Sequence, residues 1–147
     1  TNRQRPSSIQ KAESLTVFLP VSYTDRQKAE YLNKSVQKAQ TLYAKQTFLE
    51  MLRDISKEHG YGYKSLNVKP MRSRWGACDS RQNITLNSHL IRLPLNVVYY
   101  VIIHELAHTK YMNHSKDFWS EVAKVEPKYK QLRKKLKKYL SILKSLH

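Results

Sequence analysis

The sequence predicts an α+β fold, with helices before and after a small sheet in chain order. Residues 24–59 contain neither Gly nor Pro, and their apolar side chains recur at helical spacing. Residues 65–71 and 83–88 alternate weakly between polar and apolar positions, as strands of a small antiparallel sheet do. Helical patterns then return from residue 94 onward. This order is typical of α+β domains, and 147 residues are enough for one modest core.

The first 23 residues are predicted to form an extended N-terminal segment. Residues 15–23 have the composition of a strand, but Pro20 restricts them to an edge strand or an extended lead-in. Residues 24–147 are then expected to form a single domain, because no repeat or linker-like stretch divides them.

The first predicted helix has clear signals at both ends. Thr24 or Asp25 can cap its start, and Gly60 stands where a helix usually stops. A single helix of this span would be roughly 50 Å long, which is more than a small domain usually covers. We therefore expect a break within residues 33–41.

The segment after this helix predicts a turn and a buried helix. The polar stretch between the two strands, RSRWGACDSRQ, contains Gly76 and Asp79, which favour a turn. Pro94 suits the first turn of a helix running to about residue 111, because the missing N–H of proline costs nothing there. The run VVYYVII in this helix is apolar nearly all round, so the helix is expected to be buried.

Two more helices are predicted towards the C-terminus. Ser115 can cap the first of them, and Pro127 separates it from the second. The second helix has apolar residues on one face, namely Tyr129, Leu132, Leu136, Tyr139 and Leu143. Residues 127–147 also contain eight Lys and Arg residues and no acid, so the chain ends in a basic helix.

The overall charge is strongly positive. Lys and Arg number 27 against 11 acidic residues, which gives a net charge of +16 and favours polyanionic partners such as nucleic acids. The basic C-terminal helix has two interpretations that the sequence leaves open. It is either a solvated helix face or a contact surface for nucleic acid or another anionic surface.

Cysteine content and hydropathy bear on the compartment. The single cysteine, Cys78, cannot form an internal disulfide, which favours a reducing compartment, and we expect a cytoplasmic protein. No run of eighteen apolar residues occurs, so no membrane partner is expected.

The stretch HELAHTKYMNH, residues 104–114, carries the chemistry. His104 and His108 lie four residues apart on the predicted buried helix, so both imidazoles project from one face and can bind one metal ion. Glu105 follows His104 and is rotated from it by about 100 degrees around the helix axis. It is close enough to reach a water at that metal without ligating the metal. The spacing therefore predicts two metal ligands and a general base.

A third ligand has to come from a chain reversal. His114 can supply it if the helix ends before it, and Asn113 in a left-handed conformation followed by a cap at Ser115 would provide the reversal. Three nitrogen ligands leave one position of a tetrahedral zinc open, which is typical of catalysis. We expect one zinc per chain, with Co or Ni as possible substitutes. The competing interpretations are ordinary core histidines and a structural zinc completed by Cys78.

These residues also carry a family resemblance. The chain resembles the YgjP-like family of predicted zinc metallopeptidases over about residues 25–125, through the blocks Arg74-Trp75-Gly76-Ala77-Cys78, Asn83-Ile84-Thr85-Leu86-Asn87, Tyr100 to His108, Asn113-His114-Ser115 and Phe118-Trp119. The resemblance implies a zincin-like core, metal ligation by the three histidines and Glu105 as base, and a pattern related to SprT-like proteases. Ala77 stands where a serine is more usual, and the part before Thr24 is shorter than a full family member suggests.

The function expected from this site is amide hydrolysis of a peptide or protein substrate. Glu105 would take a proton from the attacking water and pass it to the leaving amine. The oxyanion needs another donor, for which Tyr111, Arg72, Arg74 and Asn87 are candidates. Residues 83–88 are expected to be the edge strand that pairs with the substrate backbone. We interpret two tryptophans, Trp75 and Trp119, as core packing and Cys78 as a small buried residue.

Two other functions belong to different classes. Without its glutamate, the histidine spacing resembles the zinc site of YbeY-like endoribonucleases, and a basic chain suits RNA. Glu105 and the Trp75-Gly76 block argue against that likeness. The last alternative is a non-enzymatic nucleic-acid-binding module that uses the basic C-terminal helix and a structural zinc. It predicts binding that weakens steeply with salt and does not depend on Glu105.

Overall fold

A computed structural model describes residues 6–11 and 14–145 of the chain. The helices and strands, in chain order, are β1 (Ser7–Lys11), β2 (Ser14–Phe18), α1 (Asp25–His59), β3 (Ser65–Lys69), β4 (Gly76–Cys78), β5 (Asn83–Asn87), a 3₁₀ helix (Ser88–Arg92), α2 (Leu95–Ala107), α3 (Lys116–Val125) and α4 (Tyr129–Ser145). This order confirms the predicted α+β class. No helix within the described residues has both the length and the apolar character needed to cross a membrane.

Internal contacts divide the chain into two units, Thr1–Tyr43 and Ala44–His147. The first unit contains an antiparallel hairpin of β1 and β2, in which Ser7 pairs with Phe18, together with the first part of α1. The strand β2 ends at Phe18, before Pro20. The proposed domain boundary after residue 23 stays a prediction.

Helix α1 begins with a reciprocal cap. The backbone N–H of Gln27 donates to the Thr24 hydroxyl at 3.2 Å, and the side chain of Gln27 accepts from the Thr24 N–H at 2.9 Å. This capping box satisfies two N–H groups that have no partner within the helix. Gly60 follows the last helical residue with a positive φ of 72°, which glycine adopts without strain.

The predicted break in α1 is wrong, because the helix runs without interruption through all 35 residues. Residues 33–41 are mostly lysine, glutamine, alanine and other residues that tolerate a helix exposed to water. With no Gly or Pro among them, nothing in the local sequence stops the hydrogen-bonded ladder. The expectation treated the size of the domain as a limit on helix length, which it is not here.

The three-stranded sheet has the order β3, β5, β4. Its β4–β5 pair is antiparallel as predicted, but β3 runs parallel to β5, so the prediction of a wholly antiparallel sheet is wrong. The chain leaves β3 beside the C-terminal end of β5 and crosses that end to begin β4 on the other side. Asn87 holds this crossing, since its amide donates to the backbone carbonyls of Met71 and Arg74 at 3.0 and 2.8 Å.

The turn between β4 and β5 confirms one predicted turn residue and corrects the other. The Asp79 carboxylate accepts from the backbone N–H groups of Arg81 and Asn83, both at 2.9 Å, and Gln82 adopts a φ of 66°. Gly76, in contrast, is the first residue of β4 and takes no part in this turn.

Helix α2 is the centre of the second unit. It is buried nearly all round, as predicted, and its apolar residues join one core cluster with Phe48 and Leu52 of α1 and Ile84 and Leu86 of β5. Both α3 and α4 contact α2. Ser115 caps α3 by accepting from the Phe118 N–H at 3.3 Å. The most buried helix of the unit therefore ends where the predicted metal ligands begin.

Candidate metal centre

The three predicted ligands lie together at the C-terminal end of α2. His104 belongs to its last turn, His108 caps it, and His114 comes from the loop before α3. One ligand nitrogen from each ring lies within 4.8 Å of the others. The Nε2 atoms of His104 and His114 are 3.2 Å apart.

The separation of the His104 and His114 nitrogens fits a shared metal ion. Two nitrogens bound at about 2.0–2.1 Å to a tetrahedral zinc are about 3.3–3.4 Å apart, close to the separation of the His104 and His114 nitrogens. Two neutral rings can make one hydrogen bond at this distance, whereas a cation accepts the lone pairs of all three rings. The cluster therefore suits a zinc-type ion.

The chain reversal that delivers His114 consists of tight turns after α2. The N–H groups of Lys110 and Tyr111 donate to the carbonyl of Ala107 at 3.1 and 2.9 Å. The left-handed conformation expected for Asn113 is wrong, because Gln82 and Gly60 are the only residues with positive φ among those described. Successive hydrogen-bonded turns thus reverse the chain without a left-handed residue.

Partners outside the cluster orient two of the rings. Nδ1 of His108 donates to the backbone carbonyl of Tyr111 at 3.0 Å, which leaves the lone pair of Nε2 for a metal. The Tyr100 hydroxyl lies 3.4 Å from Nδ1 of His104. Metal-binding histidines generally have such a partner on the second nitrogen, because it fixes the tautomer and the ring orientation.

Aromatic side chains of α3 form one wall of the site. The Phe118 ring stacks on His108 with centroids 4.4 Å apart, and the Trp119 ring stacks on His114 at 5.8 Å. The guanidinium of Arg133 on α4 lies 4.7 Å above the Trp119 ring. Trp119 was expected to pack in the core. It is half-buried and packs both against the core and against His114, and Trp75 is buried in the core as predicted.

Burial keeps two of these histidines, His104 and His108, neutral. Burial lowers the pKa of His104 to about 3, with further contributions from His108, His114 and Arg133. Burial also lowers the pKa of His108, against the raising effect of its bond to the Tyr111 carbonyl. A neutral imidazole is the form that ligates a metal, so the ring-nitrogen lone pairs of His104 and His108 are available at neutral pH.

Glu105 is a buried carboxyl group beside this cluster, with 4% of its surface exposed. Burial raises its pKa to about 8, and the nearby Arg74 opposes that shift. Gly76 gives the carboxyl group its room, because a Cβ at that position would lie 2.9 Å from the Glu105 Oε2 atom. The sequence interpretation missed this role and assigned Gly76 to a turn.

The four candidate oxyanion donors differ in availability. Asn87 is excluded, since its amide nitrogen and oxygen are both bonded to backbone groups of the strand crossing and the 3₁₀ helix. Arg72, Arg74 and Tyr111 are all exposed. Arg74 lines the space around His104 and Glu105. Among the candidates, Arg74 is thus placed best.

The expected substrate-pairing strand is also corrected. Residues 83–87 form β5, which is hydrogen-bonded on both sides and has no free edge. The edge strand at the site is β4, and its residues Gly76, Ala77 and Cys78 line a cavity of about 360 Å³ together with the three histidines. We call this space the metal-side cavity.

Cys78 lies in this strand but outside the ligand cluster. Its thiol donates to the Asp79 carbonyl at 3.5 Å, and the cluster found among the described residues consists of the three histidines without it. Burial raises the pKa of Cys78 to about 11, with contributions from Glu105 and Asp79. The absence of Cys78 from the histidine cluster argues against a structural site completed by this thiol.

Comparisons with known proteins agree with this geometry. The metallopeptidase zymogen abylysin of Pyrococcus abyssi is similar in structure, with a TM-score of 0.58 and 27% identity over 64% of this chain and 95% of that protein. The metallopeptidase zymogen jannalysin of Methanocaldococcus jannaschii shares the fold, with a TM-score of 0.56 and 19% identity over 63% of this chain and 96% of that protein. No curated protein is significantly similar in sequence. The model of the YgjP-like family, metallopeptidase domain, matches residues 4–139, so the chain belongs to the YgjP-like metallopeptidase family.

Proposed function

We propose that this protein is a zinc-dependent metallopeptidase that cleaves amide bonds with Glu105 as general base. One observation carries the proposal, namely a buried carboxyl group directly beside three histidines whose ligand nitrogens converge. Membership of a metallopeptidase family supports it. The same membership favours a peptidase over a ribonuclease.

The residues divide the chemical work between them. His104, His108 and His114 would hold a zinc ion, which when bound would polarise the scissile carbonyl, make water more acidic and favour the charged form of Glu105. Glu105 accepts a proton from the attacking water. It then donates that proton to the leaving nitrogen, so that the amine departs neutral.

Two further groups complete the proposed site. Arg74 is our candidate for stabilising the oxyanion, because it is a cation that lines the space around His104 and Glu105. The edge strand β4 is our candidate for pairing with the substrate backbone. Its three residues, Gly76–Cys78, line the metal-side cavity, which an extended peptide would enter along the strand.

The direct test is cleavage of a mixed peptide library by zinc-loaded protein, read by mass spectrometry, with wild type and Glu105→Gln in parallel. The variant removes the proton acceptor and keeps the size of the side chain. We expect wild type to cut and the variant to lose about 10²–10⁴-fold in rate with unchanged zinc content. Equal cutting by both proteins would refute the assignment of Glu105, and cleavage of structured RNA alone would refute the peptidase.

A further inference from the structure

A second cavity adjoins the metal site on the side of α4. It measures about 260 Å³ and is enclosed between the loop before β4, helix α2 and helix α4. We call it the α4 cavity. Ligand pockets for whole small molecules are roughly 300–1,000 Å³, so this one suits a single substrate side chain. Its apolar wall consists of Trp75, Tyr100, Val101, Leu136 and Leu140.

The α4 cavity and the metal-side cavity meet at the reacting groups. Both are lined by Arg74, Gly76, His104 and Glu105. The metal-side cavity contains the other two histidines and β4, whereas the α4 cavity extends away from them towards the C-terminal helix. A peptide bond held beside His104 and Glu105 therefore has a neighbouring residue next to the α4 cavity.

The entrance of the α4 cavity is basic. Arg133 and Lys137 lie one helical turn apart on α4, and both are exposed at the side chain. Arg133 stacks over Trp119 with its guanidinium 4.7 Å from the ring centre, which orients the group. Neither cation forms an ion pair with any acidic group in the described part of the chain.

Acidic groups near the entrance are few. Glu105 is the one carboxylate among the residues that line the α4 cavity, and it is buried beside His104. The residues that surround the entrance on α4 continue the acid-free stretch after Pro127. An oriented guanidinium and an ammonium without carboxylate partners form a binding site for a carboxylate of the substrate.

We infer that the α4 cavity binds a large apolar side chain of the substrate next to the scissile bond, while Arg133 and Lys137 bind a carboxylate adjacent to it. The inference rests on the proposed function and deepens it, because it names the substrate class as peptides that are apolar and acidic beside the cleavage site. The carboxylate comes either from an Asp or Glu side chain or from the C-terminus of the substrate itself.

Cleavage profiling tests the inference with zinc-loaded wild type, Arg133→Met, Lys137→Met and the double variant. Methionine keeps most of the apolar stem and removes the charge. Each protein is given two peptide libraries, one with free C-termini and one with amidated C-termini. We expect apolar and acidic residues to be enriched within two positions of the cuts, and the double variant to lose that acidic preference roughly tenfold. Loss of cutting in the amidated library identifies the substrate C-terminus as the source.

Lys57→Met is the matched control, because it removes one exposed lysine charge from α1, outside both cavities. We expect its cleavage profile to equal that of wild type. The inference is overturned if wild type shows neither an acidic preference nor a loss of cutting in the amidated library, or if either effect survives in the double variant. Zinc content measured for each protein separates a change of specificity from a loss of metal.

A binding measurement distinguishes the failure of this inference from the failure of the proposed function. Zinc-loaded Glu105→Gln is immobilised, exposed to both libraries, and the retained peptides are identified by mass spectrometry. Retention of apolar and acidic peptides, reduced by Arg133→Met and Lys137→Met, supports the inference even if wild type cuts nothing. Retention that depends neither on acidic residues nor on a free C-terminus refutes it, whether or not wild type is a peptidase.

Discussion

At the scale of single residues, the metal centre depends on bonds made outside it. The Tyr111 carbonyl fixes the tautomer of His108, and the stacked ring of Trp119 supports His114. His114 is exposed and belongs to a loop, so it has less support than the two ligands on α2. Its contribution to metal binding is therefore the one most in need of measurement.

We expect His114→Ala to bind zinc more weakly by at least about 100-fold, because loss of a ligand exceeds the 10–100-fold effect of losing a supporting residue. Zinc per chain after dialysis against a weak chelator is the measurement. His59→Ala is the control, since this histidine is half-buried near Tyr61 and lies outside the ligand cluster. Unchanged zinc content in His114→Ala would remove this residue from the ligand set.

Gly76 gives a second prediction at this scale. A Cβ there would lie 2.9 Å from Oε2 and 3.0 Å from Cγ of Glu105, so Gly76→Ala must displace the buried carboxyl group. A displacement near 1 Å costs about 10²-fold in rate, and we expect that loss of turnover with zinc content unchanged.

Gly62→Ala is the matched control for Gly76→Ala, because a Cβ at Gly62 has no atom within 4 Å. We expect this variant to turn over peptides like wild type. Normal turnover in Gly76→Ala would show that the position of Glu105 does not limit the reaction.

The sequence predicted the cluster of three histidines beside Glu105 because these residues lie within eleven positions, where helical spacing and one reversal are enough to relate them. Gly76 and Arg133 come from β4 and α4, and only the tertiary structure brings them to the site. Asn87 shows the opposite case. Its amide could in principle stabilise an oxyanion, but the strand crossing uses both of its atoms.

At the scale of elements, one cluster joins the end of α1 to the metal-binding loop and α3. The Tyr61 hydroxyl donates to Oε1 of Glu121 at 2.7 Å, and Nζ of Lys110 lies 3.4 Å from the same oxygen. Lys110 also lies 4.6 Å above the Tyr61 ring. Because Lys110 is in the reversal between His108 and His114, this cluster holds that reversal against α3.

The cluster predicts a pH-dependent effect of Tyr61→Phe. Burial raises the pKa of Glu121, but hydrogen bonds from Tyr61 and Lys110 outweigh it and lower that pKa overall. A carboxyl group whose pKa is lowered by folding stabilises the fold at pH values above the pKa that it has in the unfolded chain. This stabilisation is lost as the pH falls through the lowered pKa of the folded state. We expect Tyr61→Phe to reduce the free energy of unfolding by about 1–2 kcal/mol at pH 7 and by less at pH 3.

Urea denaturation of the metal-free proteins at both pH values measures this difference without a contribution from metal loss. Tyr63→Phe is the control, because this half-buried tyrosine belongs to the same loop and has no bond to Glu121. A cost that is equal at pH 7 and pH 3 would mean that the charge of Glu121 is not involved.

The sequence predicted which segments are helices and which are strands better than it predicted how the strands pair. Local patterns indicate β3 and β5, but their parallel pairing depends on the crossing at Asn87, which no periodicity shows. The continuous α1 has a similar lesson. The absence of Gly and Pro indicates one continuous helix, and the size of the domain does not limit its length.

At the scale of the whole molecule, helix α4 carries both a row of exposed lysines and part of the lining of the α4 cavity. The face of α4 towards α2 contributes Leu136 and Leu140 to the α4 cavity, while Lys130, Lys134 and Lys138 recur every four residues and are exposed. This spacing aligns the three ammonium groups on one face. No acid follows Pro127 to neutralise them. Contact with nucleic acid stays a prediction, and the structure indicates which three lysines would form the contact.

We expect the protein to bind a labelled duplex DNA with an affinity that falls linearly with salt on a double-logarithmic plot. Replacing Lys130, Lys134 and Lys138 by glutamine should reduce the slope by about 2–3, since each phosphate contact contributes about 0.9. The control replaces Lys34, Lys38 and Lys45, three exposed lysines of α1, and lowers the net charge equally. Only a specific surface on α4 makes the two triple variants differ. Equal slopes for the two triple variants would mean that net charge alone explains the binding. If the protein does not bind DNA at low salt, the lysines of α4 form only a solvated face.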